Sequence, residues 1–128
     1  MDVVAAVFTD GDLVLACRRK PGRDGAGLWE FPGGKLADGE PPEAGLEREI
    51  WEELGVEIEV GDLLDRSTTM VGEVPITLSC YFVRPLAGPP KVSTDHDIVT
   101  WFQRERLIWL TWTQPDLPCV RRLAFAAD

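Results

Sequence analysis

Basic residues are in short supply in this sequence, and their scarcity limits what the protein can bind. There are 13 lysine and arginine residues and 22 aspartate and glutamate residues, which gives a formal net charge of −9. Proteins that bind long nucleic acids need a basic surface that neutralises the phosphate backbone. We therefore expect no nucleic acid polymer among the partners. A small ligand whose negative charge is neutralised by metal ions stays compatible with this balance.

Long apolar runs are absent as well, and so is a basic segment ahead of an apolar one at the N-terminus. A membrane-spanning helix needs about 18 consecutive apolar residues, and a secretory signal peptide begins with basic residues. We therefore expect no membrane association and a cytoplasmic location. The length of 128 residues and the apolar fraction of 45% suffice for a hydrophobic core. We expect a single domain over residues 1–128.

Cysteine and histidine are too few to form an obvious metal site. The three cysteines, Cys17, Cys80 and Cys119, stand in apolar or strand-like surroundings without metal-ligand spacing. We expect them to be small buried hydrophobic residues, which fits a reducing compartment. The one histidine, His96, lies in a polar run over residues 93–97. A single histidine in a loop is more often incidental than functional.

Hydrophobic periodicity predicts a chain of strands interrupted by helices. A turn signal at residues 10–12 joins the first two strands, and the glycine-rich segment 21–27 predicts a loop that could act as a mobile flap. A short helix is expected at residues 103–107, and the prolines of residues 115–118 open a final helix. The predicted strands lie at residues 3–8, 13–17, 56–60, 63–70, 76–83 and 98–102.

Carboxylates are abundant between residues 34 and 56. Pro41 and Pro42 can begin a helix there, because proline is tolerated in the first turn, and Gly55 can end it in the left-handed conformation. An apolar stripe with a spacing of four residues supports this helix and is formed by Leu46, Ile50 and Leu54. We therefore predict an amphipathic helix that begins near Pro42 and ends before Gly55.

Three glutamates occupy one side of the predicted helix. Glu49, Glu52 and Glu53 are spaced at i, i+3 and i+4, so their side chains converge. Like-charge pairs at this spacing destabilise a helix by a few tenths of a kcal/mol each, and a hard divalent cation would offset that cost. A glutamate-rich helix face is more often simply solvated, so the surrounding residues decide between the two interpretations. Arg48 can pair with Glu40, which would hold the preceding loop against the helix.

The spacing over residues 34–56 resembles the signature of the Nudix hydrolases. That signature is Gly-x5-Glu-x7-Arg-Glu-U-x-Glu-Glu-x-Gly-U, where U is aliphatic, and the sequence matches it at every specified position. Two further strings are similar to the branch that contains MutT and CTP pyrophosphohydrolase. They are Leu-Trp-Glu-Phe-Pro-Gly-Gly-Lys at residues 28–35 and Pro-Asp-Leu-Pro at residues 115–118. The resemblance extends from about residue 3 to residue 123.

The resemblance implies an α/β fold, namely a Nudix-type α/β/α sandwich with a mixed central β-sheet. The acidic helix would lie on one face of the sheet, and the C-terminal helix would lie on the other. A monomer and a homodimer are both compatible with the sequence.

The resemblance also implies hydrolysis of a nucleoside triphosphate with Mg²⁺, or with Mn²⁺ in its place. In MutT-like enzymes water attacks the β-phosphorus and releases nucleoside monophosphate and pyrophosphate. The metal ions would bridge phosphate oxygens and acidify a bound water. A carboxylate would take the proton, and Glu49 and Asp95 are the two candidates; Asp95 is alternatively an additional metal ligand. The implied metal ligands are Glu49, Glu52, Glu53 and the carbonyl oxygen of Gly33.

Four residues are implied to contact the nucleotide. Arg19 and Lys35 would hold phosphate charge, and Phe31 would form a wall of the base pocket, although packing in the core is an equal alternative for it. Asp116 matches the position at which MutT reads oxidised guanine with an asparagine. An ionised aspartate only accepts hydrogen bonds, and cytosine presents an amino donor at N4. This departure from MutT favours CTP, dCTP or a 5-substituted dCTP.

Several alternatives remain open. Asp116 could cap the final helix, because an aspartate beside proline is a common helix opening. A protonated Asp116 could recognise an oxo-purine, so 8-oxo-dGTP remains a candidate substrate. The protein could also hydrolyse another nucleoside-diphosphate-linked compound, or bind a nucleotide without hydrolysing it. Retention of every carboxylate of the signature argues against the binding-only alternative.

Overall fold

The computed structural model describes residues 1–88, 90, 93 and 95–125. The strands are β1 Asp2–Asp10, β2 Leu13–Arg19, β3 Trp29–Glu30, β4 Gly33–Lys35, β5 Ile58–Val71, β6 Val74–Pro85 and β7 His96–Gln103. The α-helices are α1 Pro42–Leu54 and α2 Leu117–Ala124. Two short 3₁₀ helices precede α2, at Arg104–Trp109 and Gln114–Asp116.

One mixed sheet of seven strands forms the centre of the fold. β1 runs parallel to β6, from the pair Asp2–Thr77 to the pair Phe8–Val83, and antiparallel to β2 and β4. β5 completes one side of the sheet by antiparallel pairing with β6. β3 and β7 extend the other side through β2. The predicted mixed sheet is therefore confirmed.

β1 separates two hydrophobic layers, because successive side chains of a strand point to opposite faces. Val4, Ala6 and Phe8 pack in the layer that contains the buried residues of α1. Ala5 and Val7 pack in the layer that contains the buried residues of α2. Burial of a side chain as large as that of Phe8 stabilises a fold by about 1.5–3 kcal/mol. The two helices cover opposite faces of the sheet, so the predicted α/β/α sandwich is confirmed.

α1 begins and ends where the sequence predicts. Pro42 takes the first position, where its missing N–H needs no partner. Gly55 follows the helix with a φ of 64°, in the left-handed region, and its N–H donates to the carbonyl oxygen of Trp51. The preceding loop is held by Arg48, whose guanidinium donates to both carboxylate oxygens of Glu40 at 2.8 and 2.9 Å. The predicted Glu40–Arg48 pair is confirmed.

The second half of the sheet differs from the prediction in its continuity. The strands expected at residues 56–60 and 63–70 form one long strand, β5. Its pairing with β6 shifts register twice between Val60 and Asp65. Such bulges bend a strand without ending it, so the two predicted strands are continuous.

Two further elements were placed incorrectly at their boundaries. β7 begins at His96, so this residue and Asp97 lie on a strand rather than in the predicted polar loop; Thr94 of that loop lies outside the described residues. His96 joins the strand because it pairs with Arg19 of β2. The helix predicted at residues 103–107 is a 3₁₀ helix that ends at Trp109.

The cysteine prediction is confirmed, since all three cysteines are free and buried. Within the ranges that the structure describes, no helix combines the length and the apolar character that crossing a membrane requires.

Candidate active site

A cavity of about 440 Å³ opens on the sheet beside β4 and the second 3₁₀ helix. Glu30 contributes to its wall, although it is not among the predicted site residues. Five of the predicted site residues also line it, namely Arg19, Phe31, Gly33, Lys35 and Asp116. The four predicted catalytic carboxylates lie outside the lining, and two of them, Glu53 and Glu49, contact glycines of the wall.

Glu53 is the one buried glutamate of α1. Its side chain is 7% exposed and accepts a hydrogen bond from the backbone N–H of Gly33 in the cavity wall. Nδ1 of His96 lies 3.2 Å from Oε1, but that nitrogen is hydrogen-bonded to Oγ of Ser93 at 2.6 Å. Among the described residues, Oε1 of Glu53 therefore has no hydrogen-bond partner.

Negative charge surrounds this unpartnered oxygen. The pKa of Glu53 is raised to about 8, chiefly by burial and then by the charges of Glu30, Asp95 and Glu49. A buried carboxylate is costly as an anion unless a cation compensates its charge. The site therefore favours either a proton on Glu53 or a bound cation.

Arg48 links the other two glutamates of the predicted triad. Its Nη1 donates to Oε1 of Glu49 at 2.9 Å and to Oε2 of Glu52 at 3.1 Å. The Glu49 side chain is 19% exposed and that of Glu52 is 58% exposed. Glu49 thus lies near both Glu53 and Arg48, whereas Glu52 lies at the solvent side. A cation that gathers all three carboxylates would have to compete with Arg48.

Close packing explains the two consecutive glycines of β4. A Cβ at Gly33 would lie 2.0 Å from the carbonyl oxygen of Val4, on the paired strand β1. A Cβ at Gly34 would lie 2.3 Å from Oε2 of Glu49. Gly33 is therefore needed for the pairing of β4 with β1, and Gly34 leaves room for the carboxylate of Glu49.

Glu30 and His96 are the site residues that the sequence did not reveal. Oε2 of Glu30 accepts hydrogen bonds from Nη1 of Arg19 at 3.0 Å and from Nε2 of His96 at 2.8 Å. Since an ionised carboxylate only accepts, Nε2 of His96 carries the hydrogen. The imidazole is fully buried and lies near the carboxylates of both Glu30 and Glu53, so His96 is part of the packing around these two glutamates. A charged residue between Trp29 and Phe31, in an otherwise apolar string, was the one available signal for Glu30.

Asp95 lies at the edge of this group. Its side chain is 40% exposed and forms an ion pair with Arg23 at 3.0 Å. Asp95 is near enough to raise the pKa of Glu53, but it does not line the cavity. Its roles as a metal ligand or as the base remain predictions.

Asp116 is buried and also lines the cavity. It occupies the position before α2, yet its side chain makes no capping hydrogen bond, so the capping alternative is wrong. Instead the carboxyl accepts hydrogen bonds from Oγ1 of Thr113 at 2.6 Å and from the backbone N–H of Phe31. Burial raises the pKa of Asp116 to about 8, although the Thr113 hydrogen bond opposes the rise.

Phe31 serves both of the predicted alternatives. It lines the cavity, and it also packs against Trp112 in the core with ring centroids 4.8 Å apart. Of the two predicted phosphate contacts, Lys35 is exposed at the cavity rim. Arg19 is held by Glu30 and by a hydrogen bond from Nε to the carbonyl oxygen of Asp24.

The donors around Glu53 suit a hard divalent cation. They are the carboxylates of Glu30, Asp95 and Glu49, and carboxylate oxygens are ligands that magnesium and manganese prefer. The unpartnered Oε1 of Glu53 and the raised pKa of this residue fit a position that binds a cation. No three acidic, histidine or cysteine side chains of the described ranges are already arranged as metal ligands. This agrees with the engagement of Glu49 and Glu52 by Arg48.

The sandwich, its acidic helix and the neighbouring cavity are compatible with a hydrolase of pyrophosphate bonds, and comparison with known proteins shows this class. The sequence model of the NUDIX domain matches residues 1–123. The chain therefore belongs to the Nudix family and is a hydrolase of this kind.

Relatives within the family carry two different substrate names. The chain is similar to a protein of Mycobacterium tuberculosis (strain CDC 1551 / Oshkosh) named putative 8-oxo-dGTP diphosphatase 2. The two are 37% identical over 125 residues, which cover 95% of this chain and 86% of the relative. It is 31% identical to the CTP pyrophosphohydrolase of Escherichia coli (strain K12) over 118 residues, which cover 92% of this chain and 87% of that protein.

A solved structure agrees with this assignment. The solution structure of the E. coli ORF135 protein matches with a TM-score of 0.82 and 31% identity, over 99% of this chain and 94% of that one. The family, the MutT-like character and the hydrolase class are therefore shared, whereas the base that the substrate carries differs among the relatives' names.

Proposed function

We propose that this protein is a magnesium-dependent nucleoside triphosphate pyrophosphohydrolase, which releases nucleoside monophosphate and pyrophosphate. The observation that carries the proposal is the composition of the cavity wall. It combines the cationic side chains of Arg19 and Lys35 with the buried carboxyl of Asp116, and it includes Gly33, which is bonded to Glu53. Such a wall offers a hydrogen-bonding group to a base and positive charge to a phosphate tail. We further propose that residues 1–128 act as one domain in the cytoplasm.

The acidic helix would hold the metal. Magnesium, or manganese in its place, supplies positive charge that neutralises phosphate oxygens and acidifies water. The unpartnered oxygen of Glu53 supports this role, because a buried acceptor without a partner costs about 1–3 kcal/mol. The proposed ligands are Glu49, Glu52, Glu53 and the carbonyl oxygen of Gly33.

Of the two candidates for the base, Glu49 is the better placed. Both carboxylates lie outside the lining and are ion-paired, Glu49 with Arg48 and Asp95 with Arg23, but only that of Glu49 lies against a glycine of the cavity wall, Gly34. We therefore assign removal of the proton from the attacking water to Glu49.

For the nucleotide base we propose cytosine, in CTP, dCTP or a 5-substituted dCTP. The carboxyl of Asp116 can accept from the N4 amino group of cytosine in either protonation state. When it is protonated, its O–H can also donate to N3 of the same ring. Phe31 lies beside Asp116 in the lining and provides apolar surface for the ring.

The raised pKa of Asp116 favours 8-oxo-dGTP as a second candidate. A neutral carboxyl both donates and accepts, and oxidised guanine carries a hydrogen on N7 next to the acceptor O6. The name of the M. tuberculosis relative agrees with this substrate.

The decisive experiment is a panel of triphosphates with Mg²⁺, ranked by kcat/KM. The panel contains CTP, dCTP, 5-methyl-dCTP, dGTP and 8-oxo-dGTP, and pyrophosphate and phosphate are measured separately. We expect pyrophosphate release, with the cytidine nucleotides preferred over dGTP by at least about tenfold. Release of phosphate instead, or turnover only of nucleoside-diphosphate-linked compounds, would overturn the proposal.

A variant of Asp116 tests whether this residue determines the preference for one nucleotide base over another. Asp116→Ala is expected to reduce the preference among bases to less than about threefold. The matched control is Asp62→Asn, which changes an exposed aspartate that is not part of the cavity lining and should leave the ranking intact. An unaltered ranking in Asp116→Ala would remove this residue from base recognition.

A further inference from the structure

Glu30 connects three neighbouring strands beside the cavity. Its own strand, β3, pairs with β2, and β2 pairs with β7. One oxygen, Oε2, accepts from Arg19 on β2 at 3.0 Å and from His96 on β7 at 2.8 Å. Arg19 and His96 are themselves partners in the register of β2 and β7. The carboxylate of Glu30 therefore ties a cation of the cavity wall to a buried ring.

Arg19 needs such a partner to point in one direction. Arginine has about 2 kcal/mol of side-chain rotamer entropy, and a planar guanidinium is oriented only when different nitrogens are bonded. Here Nε donates to the carbonyl oxygen of Asp24 in the 21–27 loop, and Nη1 donates to Glu30. The side chains of Arg19 and Glu30 are only 25% and 20% exposed, so this ion pair is less screened than one at the surface.

His96 holds Glu30 from the buried side. The imidazole is bonded at both nitrogens, by Glu30 at Nε2 and by Ser93 at Nδ1, and it is fully buried. A ring fixed at both ends restricts the carboxylate that it bonds to one orientation. Glu30 could in principle serve only to satisfy His96. A residue with only that role would not need to line the cavity or to bind Arg19, which also lines the cavity. Glu30 does both.

We propose that Glu30 is a positioning residue, which holds the guanidinium of Arg19 in the orientation that contacts the phosphate groups of the substrate. The inference rests on the proposed function, because it requires a nucleotide polyphosphate in the cavity. Loss of Glu30 should weaken phosphate binding through Arg19 and leave the chemical step almost unaffected.

The test is a double-mutant cycle on KM and kcat for pyrophosphate release from CTP with Mg²⁺. Glu30→Ala is expected to raise KM about tenfold and to change kcat less than about threefold. Glu30→Gln keeps an acceptor without the charge, and it should raise KM only about threefold. In an Arg19→Ala background, the same Glu30 substitutions should raise KM less than about twofold further, because their effect passes through Arg19.

A matched control comes from a neighbouring ion pair that joins β2 to β7. Asp97 of β7 binds Arg18 of β2 at 2.6 and 2.9 Å, and neither residue lines the cavity. Asp97→Asn should therefore keep the wild-type KM. Binding of the non-hydrolysable analogue α,β-methylene-CTP, measured by calorimetry, should follow the same order as KM across all variants.

Three outcomes would overturn the inference. They are a wild-type KM in Glu30→Ala, an effect of Glu30→Ala that persists undiminished without Arg19, and a fall in kcat and unfolding temperature with KM unchanged. If Glu30→Ala does not fold, Glu30→Gln and its suppression by Arg19→Ala decide the question. Failure of the wild-type protein to release pyrophosphate from any triphosphate would count against the proposed function itself, and it would be seen before any variant is compared.

Discussion

The three glutamates of α1 are regularly spaced in sequence but unequal in their surroundings. Glu53 is buried and bonded to the backbone of Gly33, Glu49 is half-buried against Gly34, and Glu52 is exposed. The inequality follows from the position of β4, which covers one side of the helix at these two glycines. A buried oxygen without a partner lowers stability, and the proposed cation would supply that partner to Glu53.

Among single residues, Glu52 provides the most direct test of the proposed metal site. Glu52→Gln is expected to lower kcat by about two orders of magnitude or more, because it removes a ligand charge. The free energy of unfolding should change by less than about 0.5 kcal/mol, since the side chain is exposed. Pyrophosphate release and urea denaturation measure the two effects.

The control for this prediction is Glu47→Gln on the same helix. Glu47 is exposed and borders a surface depression next to Trp51, away from the cavity. Its substitution should leave kcat unchanged. Equal rates in Glu52→Gln and wild type, or equal losses in both variants, would refute the role of Glu52 as a metal ligand.

At the scale of elements, the short strand β4 connects the sheet to the acidic helix. Its three residues pair with β1, and its two glycines meet different neighbours, the backbone of Val4 and the side chain of Glu49. The strand is short because the next residues leave the sheet for the loop that Glu40 and Arg48 hold. The hydrogen bonds from Arg48 and from the Ala37 N–H lower the pKa of Glu40 to about 2. Glu40 therefore stays ionised at neutral pH, and its ion pair with Arg48 continues to hold this loop.

Substitution of the two glycines of β4 should mainly affect stability at Gly33 and mainly affect activity at Gly34. Gly33→Ala is expected to lower the free energy of unfolding by at least about 2 kcal/mol, because the oxygen it meets is backbone and cannot move without breaking the strand pair. Gly34→Ala meets the flexible end of Glu49, so it should cost less stability and instead reduce kcat by displacing that carboxylate. Urea denaturation and pyrophosphate release on both variants check this. The reverse order of effects would contradict the packing argument.

For the whole molecule, burial of acidic side chains makes stability depend on pH. Two buried carboxyls, Glu53 and Asp116, have a folded-state pKa raised to about 8. The folded protein therefore keeps protons that the unfolded chain has released. Their contribution to stability is fully present below about pH 4 and is lost as the pH rises to about 8. Without added divalent metal, the protein should be more stable in mild acid than at neutral pH.

Asp116→Asn should flatten this pH dependence. The pKa of Asp116 rises from an ordinary value of 3.8 to about 8, and each pH unit inside that window costs up to about 1.4 kcal/mol. Between about pH 5 and pH 7, wild type should lose about 2 kcal/mol more than the variant in urea denaturation. Both proteins retain Glu53, so its contribution cancels in the comparison.

Asp97→Asn is the control for the pH experiment. The hydrogen bond from Arg18 lowers the pKa of Asp97, so this group is ionised in both folded and unfolded states above about pH 5. Its removal should leave the pH profile parallel to that of wild type. A parallel profile for Asp116→Asn as well would show that Asp116 is ionised in the folded protein at neutral pH.

Much of the architecture was accessible from the sequence. The acidic helix, its limits at Pro42 and Gly55, the Glu40–Arg48 pair and most strands follow from local rules on caps, spacing and periodicity. Five of the predicted site residues line one cavity. The predictions that failed concern strand boundaries that depend on contacts between distant segments. β5 continues through bulges because β6 pairs with it, and β7 starts earlier than predicted because Arg19 pairs with His96.

The sequence by itself determined the helix that carries the carboxylates, the alternation that buries β1 on both sides, and the family, because each of these depends on residues close together along the chain. The tertiary structure alone decided that Glu53 is buried while Glu52 is exposed, that Asp116 does not cap its helix, and that Glu30 joins Arg19 to His96. Burial and ion pairing depend on which distant segments meet, as in the contact between Glu30 and His96, 66 residues apart. Spacing along a single segment does not contain that information.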